Sequence, residues 1–197
     1  TLEFLALNPP QRLRQELANS QEALEDTDSS NRRVVLALYD ALSSRDVDTV
    51  HQIVAPDLEW WFHGPPTHQF LMRILTGSQK EPFQFVPQSF ASFGPTVLVE
   101  GCDCDCSISW VHAWTVANGV ITGVREYFNT SLTVTRLGNN TQNNSPASSS
   151  KSSPSGFSSN SSSSSTAEIT SFHCPSVWES SVSNRVGKSV PGLVLAI

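Results

Sequence analysis

Charge is scarce in this chain. Only 15% of its 197 residues are Asp, Glu, Lys or Arg, and the 12 basic residues are outnumbered by 18 acidic ones, for a net charge of −6. That balance offers no positive field to phosphates and excludes a general nucleic-acid binder. Long apolar runs are also lacking. The longest near an end, Val190 to Ile197, falls well short of the roughly 20 residues of a membrane-spanning helix, so no membrane role is expected. Cysteine is sparse and crowded: three of the four are Cys102, Cys104 and Cys106. Bridges between cysteines two apart are strained, and a disulfide scaffold is not expected. Residues 1–31 show neither the basic start nor the apolar stretch of a secretory signal. The expected setting is cytoplasmic, with the nucleus as a further location. Secretion stays open because the sequence begins at Thr1 rather than Met.

Composition divides what is present into four stretches. Residues 1–31 are an acidic N-terminal extension, with Leu13, Leu17 and Leu24 spaced for a short amphipathic helix and an acidic linker over 22–28. Residues 32–138 hold four of the five tryptophans and every histidine except His173, and form the one stretch able to build a core. Residues 139–167 are dominated by Ser and Asn, a composition that cannot offset its conformational entropy, and are expected to be a disordered linker. Residues 168–197 regain Trp178 and the terminal apolar run and read as a tethered motif.

Within 32–138, Val34, Val35, Leu38 and Leu42 mark an amphipathic helix over 32–44. A second helix is predicted after Asp46 as N-cap and before Pro56, and a third from Thr67 as cap to Gly77. One strand is predicted over 58–63 and others over 83–93, 97–101, 107–116 and 120–132. The pair Asn118-Gly119 accepts the positive φ values of a two-residue type I′ hairpin. That turn implies a register in which His112 faces Arg125, Trp110 faces Tyr127 and Ile108 faces Asn129, with the aromatic face turned inward. Helices followed by antiparallel strands predict an α+β fold: three N-terminal helices packed on a curved antiparallel sheet.

Four phrases carry a family resemblance: Trp60-Trp61-Phe62-His63-Gly64-Pro65-Pro66, the hairpin strand Ser109 to Val116, the strand Val124 to Val134, and the tail Gly187 to Leu195. In this order they resemble the plant wound-induced protein 1 family, part of the nuclear-transport-factor-2-like or SnoaL-like superfamily of α+β cones. The resemblance implies a cone fold, a role in wounding, senescence and stress, and a homodimer. It implies no single reaction, because the superfamily contains isomerases, polyketide cyclases and epoxide hydrolases beside domains that only bind. Where several of its enzymes carry a pocket carboxylate at a strand end, this chain has Asn129, an amide that transfers no proton at neutral pH.

The candidate pocket residues are Trp61, His63, Trp110, His112, Trp114, Arg125, Tyr127 and Asn129. His112 is the candidate acid or base. Against this stand blander roles: a hydrogen-bonded core histidine, an Asn129 satisfying strand-end backbone, an Arg125 paired with Glu59 or Glu100 at the rim, and tryptophans that fill the cone. Metal binding by Cys102, Cys104 and Cys106 is the lesser reading, since the spacing lacks two separated ligand pairs. No cofactor is expected. The leading functional reading is a wound- and stress-responsive protein that binds a small apolar ligand or a protein partner without robust catalysis. Two alternatives remain: an isomerase or cyclase using His112 as base with Tyr127 and Asn129, and an interaction module acting through the C-terminal motif.

Overall fold

Between Gln11 and Ala55 the sequence contains neither Gly nor Pro, the residues that interrupt helices most strongly. The computed structural model, which describes residues 9–78, 83–136, 175–181 and 190–197, uses most of that interval for one helix, α1 (Pro9–Ser44). The acidic linker expected over 22–28 is therefore helical, and α1 runs without a break through the expected boundary at 31/32. Its Glu, Ala and Leu residues favour helix and no breaker intervenes. Two side chains on α1 grip one turn of the sheet. Asp28 Oδ1 accepts from the Gly94 N–H at 2.8 Å, and Asn31 Nδ2 donates to the Gly94 carbonyl at 3.0 Å.

Arg45, with φ 59°, ends α1. Asp46 then caps α2 (Val47–Ile53) as expected, its Oδ1 accepting from the Thr49 N–H at 3.1 Å. A 3-10 turn over Pro66–His68 precedes α3 (Phe70–Leu75), which closes at Gly77 with φ 68°. Thr67 lies inside that turn rather than capping α3, because Pro66 has already started a tighter helix there.

The strands are β1 (Val54–His63), β2 (Val86–Phe93), β3 (Thr96–Cys102), β4 (Ser109–Ala117), β5 (Val120–Phe128), β6 (Ser131–Thr135), β7 (Ser176–Glu179) and β8 (Gly192–Ala196). Five make a sheet of order β1-β5-β4-β3-β2, and the other three a sheet of order β7-β6-β8. The larger sheet is mixed rather than antiparallel, because β1 lies parallel to β5 after the intervening helices and strands have carried the chain back. Helices packed on a curved mixed sheet make this an α+β fold.

The two faces of the larger sheet build two cores. On the concave face, Val97, Val99, Trp110, Trp114, Val124 and Phe128 meet Val35, Leu38 and Tyr39 of α1 and Leu71 of α3. On the outer face, Leu98, Val111, Ala113 and Tyr127 meet Leu132 and Val134 of β6 and Leu195 of β8. The C-terminal motif is thus part of the second core. β8 pairs parallel with β6, Leu132 beside Leu193 and Val134 beside Leu195. Glu100 holds the end of β7, accepting from the Ser181 N–H at 2.6 Å and from its hydroxyl at 3.1 Å. The linker expected over 139–167 lies outside the described residues.

One register differs from expectation, with wide effect. The Asn118-Gly119 turn is as expected, with φ 52° and 79°, and Val116 faces Ile121. The next pair is Thr115 with Gly123, so Thr122 is an extra residue on β5, a bulge. Beyond it His112 faces Glu126 rather than Arg125, and Trp110 faces Phe128 rather than Tyr127. A one-residue slip moves every later side chain to the other face.

A second difference is covalent. Cys102 and Cys106 form a disulfide, with Cα atoms 5.0 Å apart, while Cys104 is free and exposed. The objection to bridges two residues apart does not apply to a pair four apart across a curled loop, so cysteine spacing no longer argues for a reducing compartment. Asp103 shapes that loop, accepting from the N–H groups of Ser107 at 2.7 Å and Ile108 at 3.0 Å. Among the described residues no group of three or more His, Cys, Asp or Glu is placed to hold a metal, and no helix is long and apolar enough to cross a membrane.

Leu195 is buried against the outer face whereas its neighbour Val194 is exposed. Leu195→Ala should lower the unfolding free energy by about 2–3 kcal/mol, and Val194→Ala by less than about 0.5 kcal/mol. Urea denaturation of the full chain measures both.

Candidate functional site

Alternation along β4 places Trp110, His112 and Trp114 on the concave face, and the bulge brings Glu126 of β5 to the same face. On β1 the inward residues are Trp60 and Phe62. Trp61 and His63 therefore point outward. Tyr39 enters from α1, one residue beyond Leu38 on the helix's apolar side.

These residues form a continuous buried chain of hydrogen bonds. Trp114 Nε1–H donates to the Tyr39 hydroxyl at 3.1 Å. The Tyr39 oxygen lies 2.7 Å from His112 Nδ1, and His112 Nε2 lies 3.2 Å from Glu126 Oε1. Trp60 Nε1–H donates to Glu126 Oε2 at 2.9 Å. His112 and Glu126 are both fully buried. With Glu126 as carboxylate and His112 carrying its proton on Nε2, every N–H and O–H in the chain has an acceptor. Aromatic rings enclose it: Tyr39 stacks on Trp110 at 5.7 Å, and Phe85 meets His112 edge-on at 4.9 Å.

Burial pushes the Tyr39 phenol well above its ordinary value; the Trp114 N–H pulls it back, and the Glu126 carboxylate adds to the rise. Tyr127 is raised too, by burial against the opposing pull of Arg125. At the edge of the aromatic cluster, His68 is lowered by burial and by Arg73.

A cavity of about 580 Å³ opens beside this chain, between the C-terminal part of α1, α2, α3 and residues 83–85. Leu42, Val50, Ile74, Leu75 and Phe83 give it apolar walls, with Ser43, Asp46 and His51 among its polar groups. Tyr39 and Phe85 belong both to this wall and to the contacts around His112.

The eight residues expected to line a pocket divide differently. Trp110, His112 and Trp114 come together on the concave face but are packed solid. Arg125 and Tyr127 lie across the sheet from them, because the bulge reverses the faces of β5. Arg125 lies over the Trp61 ring at 5.2 Å, and Tyr127 stacks on His63 at 4.8 Å. Trp61 is 44% exposed on that outer side. Asn129, with φ 48°, satisfies strand-end backbone: its Oδ1 accepts from the Ser109 N–H at 3.1 Å. The constellation His112, Tyr127 and Asn129 therefore does not assemble, and none of the eight lines the cavity.

Sequence reasoning missed Tyr39, Trp60 and Glu126. For Glu126 a signal existed, since an isolated Gly within a strand pattern, here Gly123, marks a bulge.

Comparison with known proteins places this geometry in a family. Residues 72–197 match the family described as wound-induced protein WI12. The chain belongs to that family. It is 54% identical over 129 residues to "Wound-induced protein 1" of Solanum tuberosum, and 53% identical over 130 residues to "Senescence associated gene 20" of Arabidopsis thaliana. Each match covers 64% of this chain and all of the relative. Among solved structures the chain is similar to a putative SnoaL-like polyketide cyclase from Jannaschia sp. CCS1, at 17% identity and a TM-score of 0.42, covering 52% of this chain and 87% of that one. The WI12 match contains His112, Trp114 and Glu126 but begins after Tyr39 and Trp60.

Two outcomes test the buried chain. Glu126→Ala strips His112 and Trp60 of their acceptor and should cost about 3–5 kcal/mol of stability, read by urea denaturation. The chain has two tyrosines, both raised in the folded state, whereas the unfolded chain releases their protons near the ordinary value of about 10. Stability is then fully present below about pH 10 and falls as pH rises, because the unfolded state ionises first. Phenolate ultraviolet absorption should rise only as the protein unfolds in alkali; an earlier rise in folded protein contradicts the burial of these phenols.

Proposed function

We propose that this wound-induced family protein acts in the plant wound and senescence response by binding a small, largely apolar molecule in the cavity between α1, α2 and α3. The observation that carries this reading is the cavity itself. Its volume of about 580 Å³ falls inside the roughly 300–1,000 Å³ typical of small-molecule sites. Its walls are mainly aliphatic and aromatic, with a few polar groups to orient an occupant. Trp110 and Trp114 are fully buried in the interior proper. The C-terminal motif is paired with β6 of its own chain, which leaves less reason to look for function in a free tail.

Nile red, a neutral dye that brightens in apolar surroundings, tests the site. Val50 lines the cavity, and Val50→Trp should fill it, weakening dye affinity at least tenfold with the thermal midpoint retained. Val194→Ser, on the outer sheet, should leave affinity unchanged. Equal dye binding by wild type and Val50→Trp would falsify the assignment.

A further inference from the structure

Of the five residues in the buried chain, Tyr39 alone lines the cavity. Its hydroxyl has one proton and two lone pairs. With the His112 proton on Nε2, the hydroxyl donates to His112 Nδ1 at 2.7 Å, and one lone pair accepts the Trp114 N–H at 3.1 Å. These two contacts leave the second lone pair of the hydroxyl without a donor. Behind His112, the Glu126 carboxylate accepts from the imidazole at 3.2 Å and is steadied by Trp60 at 2.9 Å. A hydroxyl backed by an imidazole, itself backed by a carboxylate, is the arrangement that activates a weak oxygen acid. Apolar residues of similar volume would pack this core without the desolvation cost of a buried carboxylate and imidazole.

We propose that Tyr39 is an acid–base group serving an apolar phenol or enol bound in the cavity. In the forward step the ligand O–H proton passes to the Tyr39 oxygen while the Tyr39 proton passes to His112 Nδ1. The ligand is left as its oxyanion and His112 as imidazolium. Tyr39 ends neutral, and no other bond is made or broken. Glu126 is a positioning residue: it orients the imidazole and offsets the charge that arises there. This assignment rests on the cavity reading above and names the ligand class for it.

Covalent labelling tests it in the full chain. With 4-methylbenzenesulfonyl fluoride, the Tyr39 oxygen forms an O–S bond, the S–F bond breaks, fluoride leaves, and the phenol proton goes to His112 and then to solvent. Tyr127, the one other tyrosine, is buried on the outer face and serves as internal control. Peptide mass spectrometry should find Tyr39 labelled at least tenfold faster than Tyr127, with the rate cut at least tenfold by saturating 4-propylphenol. His112→Gln and Glu126→Gln should each slow Tyr39 labelling at least tenfold at wild-type Nile red affinity. Should either variant lose the fold, the wild-type contrast with Tyr127 and the phenol protection decide. Wild-type protein that binds Nile red but labels Tyr39 no faster than Tyr127, or gains no protection from the phenol, overturns the acid–base role alone. Failure to bind Nile red in the cavity overturns the ligand-binding reading and this one with it.

Discussion

A carboxylate inside an apolar core has to be met at both oxygens, and at Glu126 that requirement fixes where three strands and a helix stand. One oxygen needs His112 of β4 and the other needs Trp60 of β1. His112 in turn needs Tyr39 of α1, which takes a second bond from Trp114. Trp60, His112 and Trp114 are each held by backbone pairing of their own strand, so none of the three can move without abandoning a ladder as well as a side-chain bond. In low-dielectric surroundings a fully satisfied network of this kind holds one arrangement, because every partial version leaves an unpaired polar group.

The same sheet serves two layers. Its concave face carries the network; its outer face is closed by the three-stranded sheet of β6, β7 and β8. Because alternate residues of one strand point to opposite faces, β5 contributes Glu126 to one layer and Tyr127 to the other. The WI12 match spans every strand except β1 and leaves Tyr39 and Trp60 to the segment before it. The buried network therefore joins the matched region to the N-terminal helices of this chain.

Much of the fold was legible in the sequence because its signals are local. The amphipathic stripe of Val34 to Leu42, the Asp46 cap and the Asn118-Gly119 turn each act over a few residues, and each appears as expected. The length of α1 was not legible, since an acidic run reads alike as solvated linker or as exposed helix until contacts such as Asp28 with Gly94 choose. β1 beside β5 is a pairing between distant segments, which no local pattern encodes. At the site, His112 was found by its residue type and its place among tryptophans. Its partner was assigned as Arg125 because regular alternation was carried through Gly123, where it fails. Tyr39 looked like one more apolar position on a helix, and only its neighbours make it chemical.

Exposed turns are where chains usually gain or lose residues at little cost, because nothing beyond the turn depends on its length. The hairpin at Asn118-Gly119 is a different kind of surface. Gain of one residue in the Ile121 to Gly123 stretch, with the bulge kept at one residue, would set Arg125 opposite His112 and Tyr127 opposite Trp110 while carrying Glu126 out to the far side. The permissible length of this surface loop is thus set by the charge its strand must bring to the core. Descendants of this chain can vary the loop's residues far more freely than their number.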